Sequence, residues 1–176
     1  ALPTGMSCLA TVANRNAAET CGVDLTKQIT WDSMLEDGKK LHAENPDYYY
    51  LNTDTKILCE YVLRPYLRQM TGESFIIDSE KKMSFTREQL VEVLTYIKDC
   101  YDGGVFEPAE DSATFKGQIH TNPKWMDGKF VFAYGPSSSI NLLMDAVPEA
   151  ECTVVQMPMA EDRVNDGFFA DTPQYM

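Results

Sequence analysis

The sequence predicts an α/β fold, and three observations carry that expectation. Amphipathic helical stretches alternate with single short runs of β-forming residues along the chain, the pattern of helices packed on a sheet. Hydrophobic residues fill 44% of the 176 positions, enough apolar surface to bury one core. No Pro/Gly/Ser linker, internal repeat or low-complexity tract divides the chain, so residues 1–176 are expected to form a single domain.

Met6 to Asn14 is small and apolar and reads as a strand, after which Asn14-Arg15-Asn16 opens a short helix that Gly22 ends. The next helix starts at Thr30, a good cap, with Ile29 and Met34 placed to close a hydrophobic staple. Trp31, Met34, Leu35 and Leu41 form its apolar stripe, and Asn45-Pro46 stops it. Tyr48-Tyr49-Tyr50-Leu51 is a run of aromatic strand formers. Residues 56–70 repeat apolar positions at helical spacing, with Pro65 predicting a kink or a break into two helices and Thr71-Gly72 the stop.

The clearest helix runs from Arg87 to Asp102. Thr86 and Gln89 supply a capping box, Phe85 and Leu90 a staple, and Leu90, Val93, Leu94, Ile97 and Tyr101 its buried face. Gly103-Gly104 gives the left-handed exit. Asn122-Pro123 caps and begins a further turn carrying Trp125. Lys129 to Tyr134 then reads as a buried strand, Ser137 to Ala146 as a helix, and Cys152 to Met157 as the last strand.

Lys and Arg total 15 against 27 Asp and Glu, a formal charge of −12. Such a surface repels phosphate backbones and anionic lipid, which argues against nucleic-acid and membrane-surface partners and suits a neutral or cationic ligand. The five cysteines, Cys8, Cys21, Cys59, Cys100 and Cys152, lack the spacing of a zinc or redox site and read as small buried hydrophobes. By themselves they favour a reducing compartment. The chain has no initiator Met, no signal peptide and no apolar run near the roughly eighteen residues of a membrane span. Its first residues carry turn and strand chemistry, and Gly167 to Met176 holds apolar residues that still need a partner, so both ends are expected to be cuts in a longer chain.

Four stretches in order resemble the second lobe of the family 1 extracellular solute-binding proteins, the maltose-binding-protein-like group. Leu2-Pro3-Thr4-Gly5-Met6 running into Asn14 is similar to the strand that crosses between lobes, and Gly22-Val23-Asp24-Leu25 with Thr30-Trp31-Asp32 to a characteristic helix start. Tyr66 to Gly72, leading to the Thr86 helix and its exit Tyr101-Asp102-Gly103-Gly104-Val105, is the third. Asn122 to Lys129, followed by a strand and Gly135, is the fourth. The resemblance covers nearly the whole chain. It implies one lobe of a two-lobe, periplasmic-binding-protein-like (type II) fold, with the first lobe and the last helices outside this sequence.

The resemblance also implies a function: binding an oligosaccharide or other small neutral solute by hinge closure, and delivering it to the membrane permease subunits of an ABC importer. The setting would be extracytoplasmic, periplasmic or lipid-anchored at the cell surface, with no cofactor. In that family aromatic rings stack on sugar faces while polar side chains bond hydroxyls. On the matching segments the candidates are Tyr61 with its neighbours Glu60 and Arg64, then Tyr134 and the serines Ser137 and Ser138 after the strand. Tyr61 fits the apolar stripe equally well, Glu60 and Arg64 also read as a solvated helix face, and Ser137 to Ser139 as caps for the next helix. Relatives often carry an aromatic residue where this chain has the serines, which weakens the parallel with maltose-like stacking. Trp31, Trp125 and the Tyr48–Tyr50 run read as packing. His42 and His120 are the only histidines, and neither sits in a nucleophile, metal or phosphate motif, so no catalytic residue is expected. The alternatives are a glycan-active enzyme and a surface interaction module with no transport role.

Overall fold

The computed structural model describes residues 3–5, 7–77, 79–167 and 174–175. Strand β1 (Pro3–Gly5) leads to β2 (Leu9–Asn14), then to helices α1 (Arg15–Thr20) and α2 (Trp31–Glu44) and strand β3 (Tyr49–Asn52). Helix α3 (Thr55–Ile57), a π-helical segment Leu58–Leu63 and α4 (Arg64–Thr71) follow as one run. The hairpin β4 (Ile76–Ile77) and β5 (Lys82–Met83) precedes α5 (Arg87–Asp102). Short helices α6 (Ala109–Ala113) and α7 (Pro123–Met126) lead to β6 (Phe130–Pro136), α8 (Ile140–Asp145), β7 (Cys152–Val155) and β8 (Gln174–Tyr175).

The main sheet has the order β3-β6-β2-β7. β3 pairs parallel with β6, and β2 pairs antiparallel with both neighbours, so β3, β6 and β7 run one way and β2 the other. Phe130 to Tyr134 are at most 2% exposed, which makes β6 the buried spine of the core. β1 and β8 pair with each other, Pro3 opposite Tyr175. The strand read from Met6 begins at Leu9, and Met6 lies outside the described residues, as do Phe168 and Phe169. The strand read to Met157 ends at Val155, and β8 follows it.

Local chemistry sets the helix starts. Thr30 Oγ1 accepts from the Ser33 N–H at 3.0 Å while the Thr30 N–H donates to Ser33 Oγ at 2.9 Å, a capping box that adds to the staple of buried Ile29 and Met34. Thr86 and Gln89 make the same exchange at α5. The buried face of α5 runs through Val93, Tyr96 and Cys100, whereas Leu94 is 48% exposed. Tyr96 takes the core position because its hydroxyl donates to the Trp31 carbonyl at 2.8 Å and its ring meets Trp31 and Tyr66 edge-on.

The run changes from one helical form to another just before Pro65. The chain widens upstream into the π segment, where the Arg64 N–H reaches the Cys59 carbonyl five residues back. Pro65 then falls in the first turn of α4, where its missing N–H is needed least. Gly72, at φ +79, closes α4 in the left-handed region.

Trp31, Trp125 and Tyr50 are each 1% exposed or less. The buried Gln69 side chain joins three segments: its Oε1 accepts from Trp31 Nε1 at 2.7 Å and from the Ala160 N–H at 2.8 Å, and its Nε2 donates to the Pro158 carbonyl at 2.9 Å. Glu107, 1% exposed, accepts from Asn122 Nδ2 at 2.8 Å and Lys124 Nζ at 2.7 Å, which fixes α7.

The cysteines are not uniformly buried. Cys100 is enclosed, Cys21 and Cys152 are half-buried, and Cys8 and Cys59 are exposed, because the last two fall on the outer side of their segments. Burial pushes the Cys100 thiol from 9.0 up to about 12. The folded chain therefore keeps a proton that the unfolded chain releases above about pH 9, so stability is full below that pH and falls above it. Unfolding free energies from urea titrations between pH 8 and pH 10.5 should decline with a slope of up to about 1.4 kcal/mol per pH unit for this one proton. Cys100→Ala should flatten the decline, and a slope unchanged in that variant would contradict the assignment.

Candidate functional site

Because β3 and β6 are parallel, their carboxyl ends lie on one edge of the sheet, where β2 also begins with Leu9 opposite Pro136. The chain leaves β3 through Thr53-Asp54 and β6 through Pro136, and a cavity of about 260 Å³ opens between the two exits. Such an edge is where open α/β sheets commonly hold ligands.

One wall is formed by Lys56, Ile57 and Tyr61, the other by Gly117, Ile119 and His120, with Tyr134 beneath. Asp54, 2% exposed, ties the walls together: Oδ1 caps α3 by accepting from the Ile57 N–H at 2.8 Å, and Oδ2 accepts from the Gly117 N–H at 2.7 Å. Asn52 adds a second tie, Nδ2 donating to the Ile119 carbonyl at 3.0 Å, while its buried Oδ1 has no partner among the described residues.

The two candidate tyrosines come together. Tyr61 is 4% exposed and its ring stacks on Tyr134, centroids 5.8 Å apart and planes 20° apart. The Tyr134 hydroxyl lies 4.0 Å from Met34 Sδ, inside the core, and burial pushes its pKa well above the ordinary phenol value. Both residues line the cavity, so a ligand there would rest against enclosed rings.

The other candidates spread out. Glu60 is half-buried and pairs with Lys56 at 3.8 Å. Arg64 is exposed, its guanidinium 5.6 Å from the centroid of the Phe75 ring. Ser137 Oγ accepts from the Cys8 N–H at 3.1 Å, and Ser138 Oγ accepts from Ser7 Oγ at 3.4 Å. Ser139 lines the cavity and donates to the Pro136 carbonyl. The stretch expected as one helix from Ser137 is a 3₁₀ turn over Ser137–Ser139 followed by α8, and no serine caps it. Ser137 and Ser138 instead hold the residues leading into β2.

Sequence reasoning missed Asp54 and His120 at the cavity, and of the serine loop Ser137–Ser139 it is Ser139 that lines it. Asp54 before Thr55-Lys56-Ile57 carried the signal of an N-cap; His120, in a polar loop, carried none. Among the described residues no group of three or more His, Cys, Asp or Glu is placed to hold a metal, and no helix is long and apolar enough to cross a membrane.

These features define a class: an α/β lobe with a ligand-sized cavity at the carboxyl edge of its parallel strands. Solved structures place that lobe. The chain superposes on a periplasmic solute-binding protein from Pectobacterium atrosepticum with a TM-score of 0.82 at 19% identity, over 96% of this chain and 42% of that one. An oligogalacturonide-binding protein from Yersinia enterocolitica matches with a TM-score of 0.84 at 22% identity, over 96% and 42%. A de novo designed cysteine esterase matches with a TM-score of 0.83 at 23% identity over the same shares. The mixed α/β fold is that of one lobe of the periplasmic solute-binding proteins, and the chain spans about two fifths of the structures it matches. No family model and no curated protein matches it.

Proposed function

We propose that residues 1–176 are the second lobe of an extracytoplasmic carbohydrate-binding protein that delivers its ligand to the permease subunits of an ABC importer. The observation that carries this reading is the cavity at the carboxyl edge of β3 and β6, with Tyr61 and Tyr134 in its lining. Its charges are already answered: the Asp54 carboxylate accepts from two N–H groups, and Lys56 faces Glu60. A neutral, hydroxyl-rich ligand suits such a lining better than an ion does.

Tyr61 and Tyr134 form the aromatic floor in this reading, and Lys56, which pairs with Glu60 outside the lining, a polar rim. Arg64, Ser137 and Ser138 stand apart from the cavity and would meet the ligand only as a second lobe closes over it. That lobe and the last helices lie outside this sequence. The protein is anchored at the cell surface by lipid or free in the periplasm, and it binds without turning its ligand over.

The test is calorimetric titration of the protein carrying both lobes with a panel of neutral and acidic oligosaccharides, paired with small-angle scattering. The expected result is saturable binding of a neutral oligosaccharide class, a smaller radius of gyration when bound, and unchanged ligand afterwards. Ligand-derived product abolished by changing one carboxylate would establish the enzyme instead, and binding of no member of the panel would remove the carbohydrate reading.

A further inference from the structure

The cavity at the carboxyl edge of β3 and β6 is graded from inside to outside. Its buried lining is mostly apolar: Ile57, Tyr61, Ile119, Tyr134 and Leu143 are each at most 7% exposed. Leu143 closes over β6, its Cδ1 3.1 Å from where a Cβ on Gly135 would stand, so glycine gives the leucine its place in the wall. The Tyr134 hydroxyl is turned to Met34 Sδ in the core. Among the described residues Asp54 is the one buried charged side chain of the lining, and each of its carboxylate oxygens already accepts a backbone N–H.

The remaining polar side chains of the lining lie farther out. The Lys56 side chain is 58% exposed, and His120 and Ser139 are half-buried. A ligand therefore meets polar groups at the mouth and carbon surface inside.

We propose that the sugar residue entering this cavity is a 6-deoxyhexose, seated with its methyl group against Ile57, Ile119 and Leu143. The proposal rests on the reading of the cavity as a carbohydrate site and narrows the class of sugar. A hexose projects a hydroxymethyl group whose oxygen must both donate and accept once it leaves water, and burying it unpaired is costly. A methyl group in the same place needs no partner and gains from the apolar wall. The cavity holds about 260 Å³, just below the roughly 300–1,000 Å³ of ordinary ligand pockets, which suits one ring rather than a chain or a bulky apolar substituent. The ring hydroxyls then fall to His120, Ser139 and Lys56 at the mouth.

Calorimetric titration of the protein carrying both lobes tests it with three matched pairs: L-fucose and L-galactose, L-rhamnose and L-mannose, 6-deoxy-D-glucose and D-glucose. The members of each pair differ only in the terminal hydroxyl. In the pairs that bind, the deoxy sugar is expected to bind roughly 10- to 100-fold tighter, the usual reach of an apolar pocket against an added hydroxyl. Ile119→Thr places a hydroxyl in the wall and keeps the backbone carbonyl that Asn52 holds, so the preference should shrink several-fold. Ile57→Thr makes the same change from the opposite wall and decides the matter if Ile119→Thr fails to fold. Equal affinities within the pairs, or tighter binding of the hydroxylated member, would overturn the proposal and leave the carbohydrate reading standing. A preference undiminished in the folded variants would place its origin outside this lobe and overturn it as well. Binding of none of the six sugars would also overturn it, while the oligosaccharide panel decides the broader reading independently.

Discussion

Gln69→Leu is expected to destabilise the folded chain by about 3–5 kcal/mol, because it orphans three buried groups at once and each costs about 1–3 kcal/mol. Those groups are the Trp31 indole N–H, the Ala160 N–H and the Pro158 carbonyl. Leucine has nearly the right volume, so the loss is one of polar satisfaction rather than of packing. Against a typical domain stability of about 5–15 kcal/mol the effect is large and visible in a urea midpoint. The increment should shrink when Gln69→Leu is made in a Trp31→Phe background, since one orphan is then already gone. An unchanged midpoint, or strict additivity of the two substitutions, would contradict this account of the amide.

Tyr61→Ala should remove about 3–5 kcal/mol of stability, the range for truncating a buried aromatic side chain. The ring is 4% exposed and stacked on Tyr134, so its loss opens a hole beneath the cavity and frees its neighbour. Ligand affinity in the two-lobe protein should fall too, by roughly 1–3 kcal/mol, if the ring also meets sugar. Measured on one variant, the two quantities separate the roles that the sequence left open. Stability falling with affinity intact would make Tyr61 a support for Tyr134. Affinity falling with stability intact would contradict the burial.

The elements were legible where local chemistry dictates them. Thr30, Thr86 and Asn122 announce helix starts through their side-chain oxygens, and each caps as expected. The apolar run after Lys129 became the buried central strand. Reading failed where tertiary contacts choose among plausible residues: Leu94 and Tyr96 both fit a helical stripe, and only the hydroxyl's bond to Trp31 decides for Tyr96. The site was legible in half. Tyr61 and Tyr134 are far apart in sequence and meet in space, whereas Asp54, which joins the two walls, gave only a capping signal.

The placing of Arg64 has a specific cause. Residues 60, 61 and 64 share one face of an ordinary helix, and on that basis all three would look toward one site. The wide turn Leu58–Leu63 breaks this geometry, leaving Tyr61 at the cavity and Arg64 over Phe75.

That turn bears on ancestry. A π turn holds one residue more than the α-helix around it, so it marks the place where a single codon can be gained without disturbing either flank. Losing one residue between 58 and 63 would restore a regular helix and change which side chains of that turn face the cavity, with the flanking α3 and α4 keeping their places. A lineage can thus exchange the side chains offered to a ligand by a one-codon indel while Pro65, Leu67 and Gln69 stay where they are.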